Sequence, residues 1–142
     1  MSVEDVEIRP CRDEDVDCVL AMWARAGTKP TPHDNPESIR ARLAYGNELF
    51  FVAADGERLV GSLIGGWDGW IGNMYRLAVD PDYRRAGLGS RLVRTVEDEL
   101  RQLGATRVTA LLFVDVEPAK EFWRSVGYEL DPTIERWRSS LD

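Results

Sequence analysis

The stretch Arg84-Arg85-Ala86-Gly87-Leu88-Gly89 constrains this chain more than any other, because of what flanks it. Tyr75-Arg76-Leu77-Ala78-Val79 before it reads as a strand, closed by Asp80-Pro81-Asp82. After it, Ser90 to Leu103 reads as a helix with Leu92, Val93, Val96, Leu100 and Leu103 on one stripe and Gly104 at the stop. Strand, glycine turn and helix in that order aim a row of backbone N–H groups and a positive dipole end at one point, which suits phosphate. Gly87 and Gly89 carry no Cβ to obstruct a ligand. Arg84 and Arg85 either face that phosphate or stand as solvated surface charge.

Two phosphate sites are excluded by single residues. A P-loop needs Gly-Lys-Ser/Thr, and Gly89 is followed by Ser90-Arg91. A dinucleotide fingerprint needs a third glycine, where this chain has Leu92. Charge excludes another class of partner. The net charge of −7 argues against non-specific nucleic-acid binding, which depends on Lys and Arg neutralising phosphates. Against that acidic background, Arg76, Arg84, Arg85, Arg91 and Arg94 are expected to gather around the phosphate turn.

The rest of the 142 residues reads as one domain. Val6 to Cys11 is a strand, and Asp13-Glu14-Asp15 loads the first turn of a helix to about Ala26 with Val16, Val19, Leu20 and Trp23 inward. Residues 27–34 are rich in breakers and form a loop containing His33, the only histidine. Asn35-Pro36 is an N-cap and first helical residue for a helix to about Tyr45. Leu49–Ala54 and Leu59–Trp67 are strands joined at Asp55-Gly56, and Asp68-Gly69 turns into Trp70–Val79. A strand Val108–Val114, a helix Pro118–Val126 closed by Gly127, and a last strand pair, Tyr128–Leu130 with Ile134 to about Ser139, complete the reading. The order βααβββαβαββ is α+β. Cys11 and Cys18 read as two buried thiols, and no Cys/His cluster suggests a metal. With no secretory signal, and no segment near the roughly 20 apolar residues of a membrane span, the expected location is cytoplasmic.

With Leu77-x-Val79-x-Pro81-x-Tyr83 ahead of it, the glycine hexapeptide resembles the Arg/Gln-x-x-Gly-x-Gly/Ala turn of the Gcn5-related N-acetyltransferases. The element order matches that fold, a mixed, mostly antiparallel sheet with helices on both faces. Gly65-Gly66-Trp67-Asp68-Gly69, with Glu7-Ile8-Arg9, Met22-Trp23 and Asn35-Pro36, resembles the small YpeA-like acetyltransferases, although Ile71 stands where that subgroup carries arginine.

The resemblance implies acetyl-CoA as co-substrate and a primary amine, small molecule or protein, as acceptor. The backbone of Leu77, Ala78 and Val79 would meet pantetheine, with the Val79 N–H as oxyanion donor, worth roughly 10²–10³ in rate. Arg84, Arg85, Ala86, Gly87, Leu88, Gly89 and Ser90 would hold the pyrophosphate. Ala119 to Tyr128 resembles the family's second signature with departures: Val116 replaces an asparagine, and Trp123 replaces the tyrosine often assigned as general acid. Trp123 packs against either the coenzyme or the core, and its indole cannot serve as an acid near neutral pH. Tyr75 occupies the place of a glutamate that removes the amine proton through water, so it either orders a water or is a buried aromatic. Trp67, Asp68 and Trp70 either line an acceptor pocket, with cation–π faces for an ammonium, or simply form the hairpin turn; His33 borders the same side. Because no Cys or Ser nucleophile has a base beside it, direct attack in a ternary complex is implied. The alternative is a coenzyme-A-binding sensor or interaction module without transfer activity. Ile134 to Leu141 is an edge that could pair with a second copy in a homodimer.

Overall fold

Four antiparallel strands and one parallel strand build the sheet, in the order β1-β2-β3-β4-β5. A computed structural model describes residues 5–141, divided into one compact unit that ends at Leu111 and another that begins at Leu112. The strands are β1 (Glu7–Pro10), β2 (Phe50–Asp55), β3 (Arg58–Trp67), β4 (Gly72–Val79) and β5 (Val108–Ala110). The helices of the first unit are α1 (Val16–Ala26), α2 (Pro36–Tyr45) and α3 (Leu88–Leu103).

Local chemistry explains where each helix begins. A 3-10 turn at Asp13–Asp15 precedes α1, and the Asp15 carboxylate accepts the Arg12 N–H at 2.8 Å and two Arg9 N–H groups at 2.6 and 3.0 Å. Burial pushes this carboxyl up, but the hydrogen bonds from Arg9 and Arg12 outweigh it and hold the pKa below the usual value. Asn35 caps α2 as its sequence implies, its Oδ1 accepting the Ser38 N–H at 2.8 Å with Pro36 as first helical residue.

The two faces of the sheet carry different helices. Met22, Val16, Val19 and Trp23 of α1 and Ile39 of α2 pack with Phe50, Val52, Ile64 and Ala78 on one face. Leu92, Val96 and Leu100 of α3 cover the other, against Gly61, Gly65 and Gly72. Met22 is fully buried while Leu20 is only partly so, and Leu103 is 47% exposed while Leu88 takes a core position. The α3 stripe therefore lies one turn earlier than its leucine spacing suggests, because the helix starts at Leu88 rather than Ser90. Cys11 is buried and its thiol is pushed up to about 12, by desolvation first and Asp15 second. Cys18, expected to be buried, is exposed on the outer side of α1.

The second unit contains α4 (Glu117–Ser125), where Trp123 lies edge-on to Phe122 at 5.5 Å and to Tyr128 at 4.9 Å. The expected last strand pair does not form: residues 128–141 hold a turn but no strand. Leu130, Ile134 and Trp137 are 85%, 70% and 87% exposed. The reason is in the alternation. Arg136 and Arg138 share a period-two face with Ile134, and Glu135 and Ser139 share the other with Trp137, so neither face is apolar enough to bury. A two-stranded pair without such a face is marginal. Strand β5 likewise stops at Ala110 rather than Val114.

Candidate functional site

A break in register defines the centre of β4. Ser62 pairs with Ala78 and Ile64 with Tyr75, so β4 spends one residue more than β3 across the same span. That bulge reverses the strand's alternation, which is why Tyr75 and Ala78, three apart, both pack on the α1 face. On its other edge, β4 pairs with β5 only from Gly72 to Met74, and the Leu111 N–H to Met74 carbonyl bond at 3.0 Å is the last. From Tyr75 to Val79 that edge has no β5 partner. The backbone of Leu77, Ala78 and Val79 lies along it.

The chain then turns sharply. Asp80 is 1% exposed, caps the Pro81–Tyr83 turn by accepting the Asp82 N–H at 3.0 Å, and binds Arg25 Nε and Arg58 at 3.0 Å each. Desolvation pushes its carboxyl up, yet the Asp82 N–H and the two arginines prevail and leave it below the ordinary carboxylate range. Tyr83, buried next to it, donates its hydroxyl to Asp55, which together with burial raises the phenol's pKa. Arg84 extends, Arg85 takes φ 64°, and Gly87 takes φ 85° as the N-cap of α3.

That helix end has no capping side chain and no acidic residue in its first turn. The N–H groups of Leu88, Gly89 and Ser90 therefore point outward from a 16-residue helix without an intrahelical acceptor. Ala86 and Gly87 ahead of them are exposed. At Gly87 the requirement is conformational: a Cβ would meet nothing within 4 Å, but φ is left-handed. An open groove of about 550 Å³ runs beside this end, lined by Ile8, Gly87, Ser90, Arg91, Arg94, Thr95 and Asp98.

The expected gathering of arginines is only partly present. Arg91 and Arg94 line the groove, and Arg85 is exposed in the turn. Arg84 instead donates to the carbonyls of Val79 at 3.1 Å and Ala26 at 2.7 Å, bracing the turn against the end of α1. Arg76 points away altogether, to Lys29 and Asp34. The bulge is the reason, since it places Arg76 on the α1 side of the sheet. Sequence reasoning missed Asp80, Arg25, Arg58 and Ser62 as parts of this framework. Of these only Asp80 carried a local signal, standing before Pro81 as a cap.

The remaining candidates scatter around the α1 face and the β3–β4 hairpin. Tyr75 is half-buried beside the core cluster. His33 is exposed, its N–H donating to Thr31 Oγ1 at 3.3 Å. Asp68 closes the hairpin by accepting the Trp70 and Ile71 N–H groups at 2.8 and 2.9 Å, and these bonds, Ile71 first, lower its pKa. Trp70 at the tip is 81% exposed, and Trp67 is half-buried. Trp123, in the second unit, is 6% exposed. Among the described residues no three His, Cys, Asp or Glu side chains converge to hold a metal ion, and no helix is long and apolar enough to cross a membrane.

The acetyltransferase (GNAT) family model matches residues 16–128. The chain belongs to that family. It is therefore an acetyl-CoA-dependent N-acetyltransferase. An acetyltransferase of Sodalis glossinidius (strain morsitans) is 30% identical over 129 residues, covering 91% of each chain. Ard1 from Thermoplasma volcanium superposes with a TM-score of 0.80 at 21% identity, over 89% of this chain and 84% of that one. An aminoglycoside N-acetyltransferase solved in complex with CoA superposes with a TM-score of 0.73 at 12% identity, over 96% and 95% of the two chains. These two likenesses establish the α+β acetyltransferase fold. The uncapped α3 terminus and the unpaired half of β4 are thus features of an acetyl-CoA-using enzyme.

Proposed function

We propose that this acetyltransferase moves the acetyl group from acetyl-CoA to a primary amine by direct attack within a ternary complex. The observation that carries the reading is a pair of open backbone surfaces: the β4 edge from Tyr75 to Val79, which β5 does not cover, and the N–H groups that open α3. The first suits an extended amide-bearing arm, and the second a pyrophosphate. The residues fit such a substrate. No carboxylate caps α3, and Arg85 and Arg91 supply positive charge nearby, with Arg94 beside them paired to Glu97 at 2.7 Å.

Acetyl-CoA supplies an activated acyl carbon: the amine nitrogen bonds to it, the C–S bond breaks, and the sulfur leaves as a thiolate. That leaving group needs little help, since thiol pKa values lie near ~8.5. The chain's own contribution is the Val79 N–H as oxyanion donor and Gly87 through Ser90 as the pyrophosphate cradle. Tyr75 orders the water that takes the amine's proton. Trp67, Asp68, Trp70 and His33 border the acceptor's approach.

Thermal unfolding with and without acetyl-CoA tests the first half. At about 100 times Kd, the ligand adds about 2.7 kcal/mol to the wild type. In Gly87→Asp, whose carboxylate faces the pyrophosphate, the shift disappears. No shift in the wild type overturns the reading. Thiol release with spermidine, kanamycin and an N-terminal peptide as probes tests the second half, and Tyr75→Phe slows it most at pH values where the amine is protonated. A thermal shift with no release from any amine would leave a coenzyme-A-binding module instead.

A further inference from the structure

Arg76 stands in the middle of β4 with φ 61°, a conformation that non-glycine residues adopt rarely and that arginine has no local hydrogen bond to ease. The surrounding contacts hold it there from both ends. Its guanidinium carbon lies 5.0 Å from the centre of the Trp23 ring, and its nitrogens donate to the Lys29 carbonyl at 3.1 Å and to Asp34 at 2.5 Å. Its own carbonyl accepts the Ser62 hydroxyl at 2.9 Å. Ser62, fully buried, accepts in turn from Trp23 Nε1 at 2.8 Å. An indole N–H can only donate, so the single Ser62 proton must go to the Arg76 carbonyl, and the direction of the chain is fixed. Trp23 therefore grips Arg76 twice, once through its ring and once through Ser62.

Asp34 is equally committed. Its carboxylate accepts the Thr31 N–H and hydroxyl at 3.0 Å each, closing the turn of the 27–34 loop, and pairs with Arg76 in the same place. Both partners are shielded, with side chains 11% and 18% exposed. Two charges held this far from water, with a fork geometry on one side and a closed turn on the other, make one joint.

We propose that Arg76 is a positioning residue for acetyl transfer: it locks the 27–34 loop to the bulge of β4, so that the order of the loop and the shape of the Leu77–Val79 edge change together. The inference rests on the reading of that edge as the one that meets acetyl-CoA. Through this joint, binding along the edge orders the loop that carries His33.

Hydrogen exchange on the full chain, with and without saturating acetyl-CoA, tests it using Arg76→Gly and Asp34→Asn. Glycine adopts the positive φ without steric strain, so the first variant can keep the bulge while it loses the clamp. In it, amides 28–35 exchange about tenfold faster or more. Asp34→Asn speeds exchange at Leu77–Val79 by a similar factor, although the altered residue lies 42 positions from Arg76. Acetyl-CoA slows exchange in the wild type at 77–90 and also at 28–35, whereas in Arg76→Gly it slows only 77–90. Effects confined to the substituted segment, or a wild-type loop indifferent to acetyl-CoA that protects 77–90, overturn the coupling. Absence of any wild-type protection at 77–90 instead removes the acetyl-CoA reading of the edge, and the role of Arg76 in transfer goes with it.

Discussion

Asp80 ties a turn, a helix and a strand together through one carboxylate. It caps a turn, anchors Arg25 from α1 and Arg58 from β3, and lies at the point where β4 gives way to the phosphate turn. Asp80→Asn takes this counter-charge from Arg25 and leaves Arg58 with Asp82, at 3.6 Å. Because those arginines are 40% and 48% exposed, solvent moderates the loss to roughly 1–3 kcal/mol at neutral pH, measurable by urea unfolding. The pH dependence has a definite sign. The folded pKa lies below the unfolded ~3.9, so the carboxylate's contribution is complete above ~3.9 and is lost as pH falls through the folded value. The wild type and Asp80→Asn therefore differ by a constant amount above pH ~3.9 and converge as pH falls from there through the folded value. A gap that stays constant through that fall would mean the arginines are not the source.

Among the elements, α3 depends on how closely it can approach the sheet. Gly65 permits that approach: a Cβ there would lie 2.8 Å from Val96 Cγ1 and 3.4 Å from Leu49 Cβ. Gly65→Ala forces the helix outward or Val96 off its rotamer, at about 1–3 kcal/mol. Any such shift also moves the N-terminal turn of α3, so acetyl-CoA affinity falls with stability. Chemical denaturation together with a binding isotherm checks both, and unchanged stability would show that Val96 yields freely. The existence of α3 and its approximate span were legible from its leucine and valine spacing, and the cap of α2 from Asn35-Pro36. The bulge in β4 was not legible, because nothing in Tyr75-Arg76-Leu77-Ala78-Val79 distinguishes it from a regular strand. Once in it, Arg76 meets Trp23, Ser62, Lys29 and Asp34, none of them its neighbour in sequence.

For the whole molecule, burial divides the chain unevenly. Strands β2 and β3 are buried along most of their length, whereas residues 129–141 are exposed throughout. Amides of β2 and β3 are expected to exchange only by global unfolding, and those of 129–141 within seconds; slow exchange in that last segment would reveal a partner that covers it. What the sequence determined by itself is what short-range chemistry can decide: helix caps, turn glycines, the periodicity of α3, and the strand–turn–helix unit with its uncapped end. Those features also carried the family resemblance. Only the tertiary structure decided where the arginines point, that Arg84 braces Val79 and Ala26, that Arg76 clamps a distant loop, and that the last strand pair fails to form. Long side chains choose among partners supplied by other elements, and a strand persists only if a neighbour covers its face.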